Sequence, residues 1–392
     1  MWTILIIYLL ILSVYLSIEL KFKNYKINVK ELIKKDKTSL FLTLGTKMGV
    51  GSIIGTASSI LIGGFSSVLW IIVFSMLFTS LIYCEGYYGN KYKRNSVGGP
   101  FYIIRYGLKK RTLSIISLIL LIIIYSFFFQ MIQFDTISYI LIYSLKIPMY
   151  LIIIISLIVL IITLNLKVND VLNILNRIVP YMCLLFISVC IYVIFKNISN
   201  INFSIFIKDF LSFKSLLSGL VIGVKRSIFM NEVLIGTTST AASSDKNDIN
   251  TSIKYQILST YFISIVITLL IALLLLIYVN GNMIPSDYNM LMSNVFNSLL
   301  GKFGTYFLLI IYLLFGVTTI LSGYYIGLSN IENLMNKKLI VIVFKLLFII
   351  SCISGIILNN SYIWKYLDML TFIMIIINSY SIIKLVMKDD WK

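Results

Sequence analysis

Histidine is absent from the 392-residue chain, and acidic residues are scarce, 15 against 33 lysines and arginines. Without imidazole there can be no serine–histidine triad, no histidine-ligated zinc and no imidazole relay. The four cysteines, Cys84, Cys183, Cys190 and Cys352, lie in or beside apolar runs and form no C-x-x-C pair. Cys183 and Cys190 fall two helical turns apart, yet they read as small core residues rather than a disulfide or a metal site. Charge of either sign is also sparse, at 12% of residues, where globular domains carry about a quarter. Apolar residues fill the deficit, at 59% of the chain with a mean hydropathy of +0.98. That proportion is about 231 residues, enough for about eleven membrane-spanning helices at roughly 20 each. A β-barrel would need alternating ten-residue strands, whereas these runs are continuous and about twice as long. The composition is that of an all-α polytopic membrane protein.

The net charge of +18 would suit a nucleic-acid partner, but the basic residues sit in short loops between apolar runs. That is how a membrane protein fixes its orientation in the lipid bilayer, and no nucleic acid is implied. The first run, Met1 to Ile18, lacks a positive n-region and a small-residue cleavage site, and lysine-dense sequence follows it. It reads as a retained span, residues 1–20, with its N-terminus outside. Further runs lie near 40–62, 66–84, 113–143, 149–165, 171–195, 215–241, 253–279, 303–328, 339–357 and 364–386, making eleven. Seven basic residues between Glu85 and Arg111 mark a cytoplasmic loop, while Gly63–Gly64 and Asn359–Tyr362 carry none. The weakly apolar segment 196–214 breaks the charge pattern with Lys196, Lys208 and Lys214, and is expected to form an interfacial helix. Setting the first span aside leaves two sets of five, 38–195 and 215–386, whose first members face opposite ways. That is the arrangement of an inverted repeat. No polar stretch is long enough for a soluble domain. The 28 lysines against 5 arginines suggest an AT-rich bacterial genome, and hence a bacterial plasma membrane with the C-terminus in the cytoplasm.

Each set of five opens with a glycine-rich, polar span: GTKMGVGSIIG at 45–55 and GVKRSIFMNEVLIG at 223–236. Small residues also permit close helix packing. However, interrupted segments at corresponding positions of two halves are the best sequence pointer to a transporter site. Both segments carry mid-span charges, Lys47 in one and Lys225, Arg226 and Glu232 in the other. A charge at a helix centre costs roughly 2.5–3.5 kcal/mol on insertion scales, so such residues usually face a cavity or a partner. Gln133 and Asp135 in the fourth span and Asp368 in the eleventh are further intramembrane polar residues. The three cations are thus expected to be balanced by Asp135, Glu232 and Asp368, in an ion-pair network or in a substrate and ion site.

At these residues the sequence resembles the alanine/glycine:cation (sodium:alanine) symporters over nearly its whole length. The family's G-T-G-N-I-x-G pattern is similar to Gly49-Val50-Gly51-Ser52-Ile53-Ile54-Gly55, followed by Gly63-Gly64 and Trp70. Its E…KY and GGPxYYI…GL elements resemble Glu85, Lys91-Tyr92, Gly98-Gly99-Pro100-Phe101-Tyr102-Ile103 and Gly107-Leu108. V-P-x-M is matched at Val179 to Met182, R-G-L-F-S-N-E-A-G-x-G at Arg226 to Gly236, and a W…D pair at Trp364 and Asp368. The chain differs from the pattern at Lys47, Val50, Ser52, Met230, Val233 and Leu234, and at Gly323, where tryptophan is frequent. The resemblance implies a LeuT-like fold of ten core helices, with the first span as an addition. It further implies an amino-acid substrate between the broken second and seventh spans, closed in by the fourth and ninth.

By the same resemblance, Gly49, Val50, Gly51 and Ser52 would hold the carboxylate, with free N–H groups at a positive helix end. Gln133, Phe229, Met230, Asn231 and Gly323 would contact the rest of the substrate. Gly45, Met48, Thr318 and Thr319 would coordinate the driving cation, sodium or proton, beside Lys47. No enzymatic activity, catalytic residue, cofactor beyond Na+ or obligate protein partner is implied. A degenerate, sensor-like relative that binds an amino acid without moving it is the competing reading. A channel is disfavoured by the lack of a pore loop or charged ring. Leucine at Gln133 or Asn231 is expected to abolish transport, and tryptophan at Gly323 to narrow the pocket.

Overall fold

A computed structural model describes residues 2–25, 28–279, 288–334, 337–358 and 360–389. Met1 of the first expected span and Asn359 of one expected outer connection lie outside the described residues. The described chain is helical throughout, with one isolated bridge between Arg94 and Val97. The first half contains α1 (Trp2–Glu19), α2 (Thr38–Lys47), α3 (Val50–Gly63), α4 (Ser66–Leu77), α5 (Thr79–Lys91), α6 (Arg111–Tyr143), α7 (Met149–Leu164) and α8 (Val168–Lys196). A short surface helix, α9 (Phe203–Leu211), links the halves. The second half contains α10 (Phe213–Met230), α11 (Thr237–Ala242), α12 (Ile249–Val279), α13 (Tyr288–Leu300), α14 (Lys302–Leu334), α15 (Lys338–Ile357) and α16 (Asn360–Val386).

Seven of these helices are long and apolar enough to cross a membrane, or nine when the bent pairs α2/α3 and α4/α5 each count as one span. The protein is therefore a multi-pass membrane protein. Three departures from the simple series of apolar runs are physical. The third run bends by 40° between α4 and α5 around Phe78. Both α6 and α12 pass through a wide π-helical turn, at Ile122–Phe128 and Phe262–Ile267. A π turn frees backbone carbonyls, and here side chains five residues on take them up. Gln130 Nε2 donates to Tyr125 O at 3.0 Å, and Thr268 Oγ1 donates to Ile263 O at 3.3 Å. Helix α13, the third departure, covers sequence with no continuous apolar run and packs on α14, α3 and α12.

The bent pair α2/α3 stands at the centre. Helix α2 is flanked by α8, α14 and α12, and α3 packs chiefly on α10. Helix α10 also lies along α4, so the two halves interlock rather than sit side by side. The segment leading into α2 is anchored to the second half by Tyr255 Oη, which donates to Leu32 O at 2.8 Å, and by Lys254, which donates to Glu31 at 3.1 Å. That bond holds the exposed Glu31 carboxyl below its ordinary value. On the opposite end, Asp209 of α9 accepts from the Phe65 N–H and, at 2.6 Å, from Ser215 Oγ. This ties the expected interfacial helix to the α3/α4 turn. All four cysteines are buried and free of disulfides.

Candidate substrate and ion site

The first break follows from Gly49. Its backbone is extended (φ −79°, ψ 173°) between two helices inclined at 49°. A Cβ there would lie 2.9 Å from Thr319 Oγ1 and 3.0 Å from Gln133 Nε2, so only glycine lets α14 and α6 approach this closely. The freed Val50 N–H donates to Gln133 Oε1 at 3.0 Å, and the Gly49 carbonyl accepts from Ser52 Oγ at 2.7 Å. On the other flank, Thr319 Oγ1 donates to the Gly45 carbonyl at 3.0 Å.

The second break separates α10 from α11. Glu232 (φ 53°) and Leu234 (φ 59°) both adopt the left-handed region that L side chains avoid. Such conformations cost about 1–3 kcal/mol each and persist where the surroundings over-determine them. Here Glu85 of α5 supplies the constraint, accepting from Leu234 N–H at 3.0 Å and from Ser239 Oγ at 3.3 Å. Asn378 Nδ2 donates to the Leu234 carbonyl at 2.8 Å. Glu85 is thus a site residue that sequence reading places only within a cytoplasmic motif. Its signal is a lone acid ending an apolar run.

The two breaks meet at a small chamber of about 30 Å³, room for a water or two. From the first break it is lined by Lys47, Gly49, Gly51 and Ser52, and from the second by Arg226, Phe229, Met230 and Glu232. Gln133 and Phe129 of α6 and Trp364 of α16 complete the wall. A vestibule of about 420 Å³ adjoins it, sharing Gly51, Ile132, Arg226, Phe229 and Trp364 and running along α3 toward Ile62. The sequence therefore brings together most of the expected substrate residues, and Val50 joins them through its bond to Gln133.

Other expected residues lie elsewhere. Asn231 turns away from the chamber into helix packing: its amide nitrogen donates to Ser75 Oγ at 2.7 Å and Ser227 O at 2.9 Å. Its oxygen accepts from Ser264 Oγ at 2.9 Å. Gly323 faces α6, where a Cβ would lie 2.0 Å from Gln130 Nε2, so Gln130 occupies the space a larger residue would need. Among the expected cation residues, Gly45 and Thr319 meet. Thr318 Oγ1 bonds instead to Phe315 O at 3.0 Å, and the Met48 sulfur accepts from the Cys183 thiol at 3.4 Å.

The charges pair differently from the expected three-to-three match. Lys225 and Asp368 form an ion pair at 2.6 Å, and the ammonium also lies 5.1 Å from the Trp2 ring of α1. Trp2 in turn packs on Phe229 at 5.3 Å between ring centres. Lys47 is buried and donates to Thr260 Oγ1 at 3.2 Å, with Glu232 and Glu85 as the carboxylates acting on it. Asp135 pairs with no cation among the described residues, and its Oδ2 has no hydrogen-bond partner.

The model of the sodium:alanine symporter family matches residues 1–389, virtually the whole chain. The chain belongs to that family. Its relatives are transporters and not enzymes. An uncharacterized transporter of Haemophilus influenzae is 26% identical, covering 87% of this chain and 75% of its own length. A probable sodium/glutamine symporter, GlnT, of Bacillus subtilis is 24% identical over 97% of this chain and 85% of that protein. The amino-acid carrier protein AlsT of the same organism is 24% identical over 87% and 75%. Among solved structures, the manganese transporter of Eremococcus coleocola, in complex with an aromatic bis-isothiourea compound, superposes with a TM-score of 0.56. It covers 89% of this chain and 76% of that one at 13% identity. That likeness shows a shared fold and nothing about the ligand.

Proposed function

We propose that this protein is a secondary active symporter that carries a small neutral amino acid, such as alanine or glycine, with Na+ or H+ across a bacterial plasma membrane. In this reading eleven spans include one added N-terminal helix and two inverted repeats of five, with the N-terminus outside and the C-terminus in the cytoplasm. The observation that carries it is the meeting of two interrupted helices, one from each half, at a chamber whose lining includes Lys47, Gln133, Arg226 and Glu232. Unwound backbone at such a meeting point supplies donors and acceptors that a continuous helix would use itself. In this orientation the vestibule along α3 opens outward. Arg226, Phe229 and Trp364, shared by vestibule and chamber, then form the wall that moves when substrate is admitted.

Sodium is the proposed driving ion, in keeping with membership of the sodium:alanine symporter family and the likeness to a probable sodium/glutamine symporter. Its oxygen ligands would be the Gly45 carbonyl and Thr319 hydroxyl, already 3.0 Å apart, with the backbone of Met48. A lysine ammonium 4 Å from Na+ would repel it by about 4 kcal/mol at an effective dielectric of 20. In this reading the Lys47 ammonium is held by Thr260 Oγ1, to which it donates at 3.2 Å, rather than at the sodium position. The test is uptake of labelled alanine and glycine into proteoliposomes at fixed pH, with external sodium exchanged for choline. Loss of uptake in choline is expected. Undiminished uptake in choline that becomes sodium-dependent in Lys47→Ala would mean that the lysine replaces the ion.

A further inference from the structure

Of the three cations at the site, Lys225 alone is ion-paired among the described residues, with Asp368. Lys47 donates to the Thr260 hydroxyl and has no carboxylate within ion-pair distance. Arg226 has no carboxylate within 4.0 Å among the described residues. Its Nη2 donates to the neutral Gly51 carbonyl, and its Nε is buried with no partner. The guanidinium lies flat against α3, its carbon 1.8 Å from where a Cβ on Gly55 would stand. A guanidinium keeps its proton and offers five donors in a fixed fork, so burial is costly until an anion meets it. No resident anion does so, and the group faces both the vestibule and the chamber.

We infer that Arg226 takes a carboxylate of the transported amino acid as it passes from vestibule to chamber. The inference rests on the transport reading above and names the residue that recognises the substrate's anionic end. Two observations point to a carboxylate carried by an amino acid rather than to a simple anion. Across the chamber, Glu232 Oε2 is buried and unpartnered, an acceptor suited to an ammonium group. An anion without such a group would meet that carboxylate unshielded. Second, the Val50 N–H, the donor a helix start would present to the carboxylate, is already occupied by Gln133 Oε1. The guanidinium is the stronger free donor, and charge-assisted forked pairs are roughly twice as strong as neutral bonds.

The carboxylate is either the α-carboxylate common to all amino acids or the side-chain carboxylate of an acidic one. Uptake of labelled alanine, glutamine and glutamate into proteoliposomes, with alaninamide as competitor, separates the two. The comparison uses wild type, Arg226→Lys, Arg226→Gln and Gly55→Ala. The last keeps the charge but drives the guanidinium off α3 with a methyl group. For an α-carboxylate site, Arg226→Lys and Gly55→Ala raise the half-saturating concentration at least tenfold for every amino acid the wild type carries. Arg226→Gln abolishes uptake, and alaninamide does not compete. For a side-chain carboxylate, only glutamate uptake falls. The inference is overturned if Gly55→Ala or Arg226→Lys, monodisperse on gel filtration, stays within twofold of wild type for all three probes. Alaninamide that competes as well as alanine, with glutamate uptake unchanged in Arg226→Lys, overturns it as well. A wild type that takes up none of the three overturns the transport reading and this inference together.

Discussion

Gln133 and Asn231 bring the same amide chemistry to opposite circumstances. Gln133 lines the chamber and holds the Val50 N–H, while Asn231 is consumed by bonds to Ser75, Ser227 and Ser264. Interhelical hydrogen bonds in membranes average about 0.6 kcal/mol and reach about 1.7. Two such bonds, to Ser75 and Ser264, make Asn231→Leu a loss of about 1 kcal/mol, read as a lower melting temperature and reduced yield of the solubilised protein. Gln133→Leu is expected to leave melting within a few degrees of wild type while removing amino-acid uptake. Equal melting temperatures for the two variants would show that their hydrogen bonds do not divide in this way. From sequence the two amides look alike, because each is one polar side chain in an apolar run. Only the serines of α4 and α12, 156 and 33 residues away from Asn231, separate them.

At the scale of helices, the interruptions matter more than the spans. Gly49→Ala places a methyl group 2.9 Å from Thr319 Oγ1 and 3.0 Å from Gln133, which forces α14 or α6 outward at the break. Uptake should fall at least tenfold while the protein remains folded on gel filtration, and wild-type uptake in Gly49→Ala would show that this close approach is dispensable. Helix α1 reaches the same region through Trp2, which packs on Phe229 and Lys225. An aromatic pair is worth about 0.5–1.5 kcal/mol beyond its area, so Trp2→Ala should change apparent substrate affinity by about two- to tenfold. No change would confine α1 to a structural role. Seven to nine of the eleven expected spans, and both interruptions, were legible in the sequence, because continuous apolar runs and mid-run glycines and charges are local signals. The π turns, the bend at Phe78 and helix α13 were not. They depend on side-chain capping and packing by distant helices, as when Gln130 reaches the Tyr125 carbonyl. Glu85 escaped for the same reason: its partner is the backbone of Leu234, 149 residues on.

For the whole molecule, the two halves present their broken helices to each other, and the chamber between them has room for no more than a water or two. On the proposed function, substrate enters the chamber only when the wall shared with the vestibule yields. The Lys225–Asp368 pair and the Phe229–Trp2 contact lie along that wall. The most direct measurement is the ratio of internal to external labelled alanine or glycine in proteoliposomes under an inward sodium gradient. A coupled symporter accumulates the amino acid above the external concentration and loses that excess when the gradient is dissipated. Binding of the same amino acid with a ratio that never exceeds one, with and without the gradient, would contradict coupled transport and identify a relative that binds without pumping.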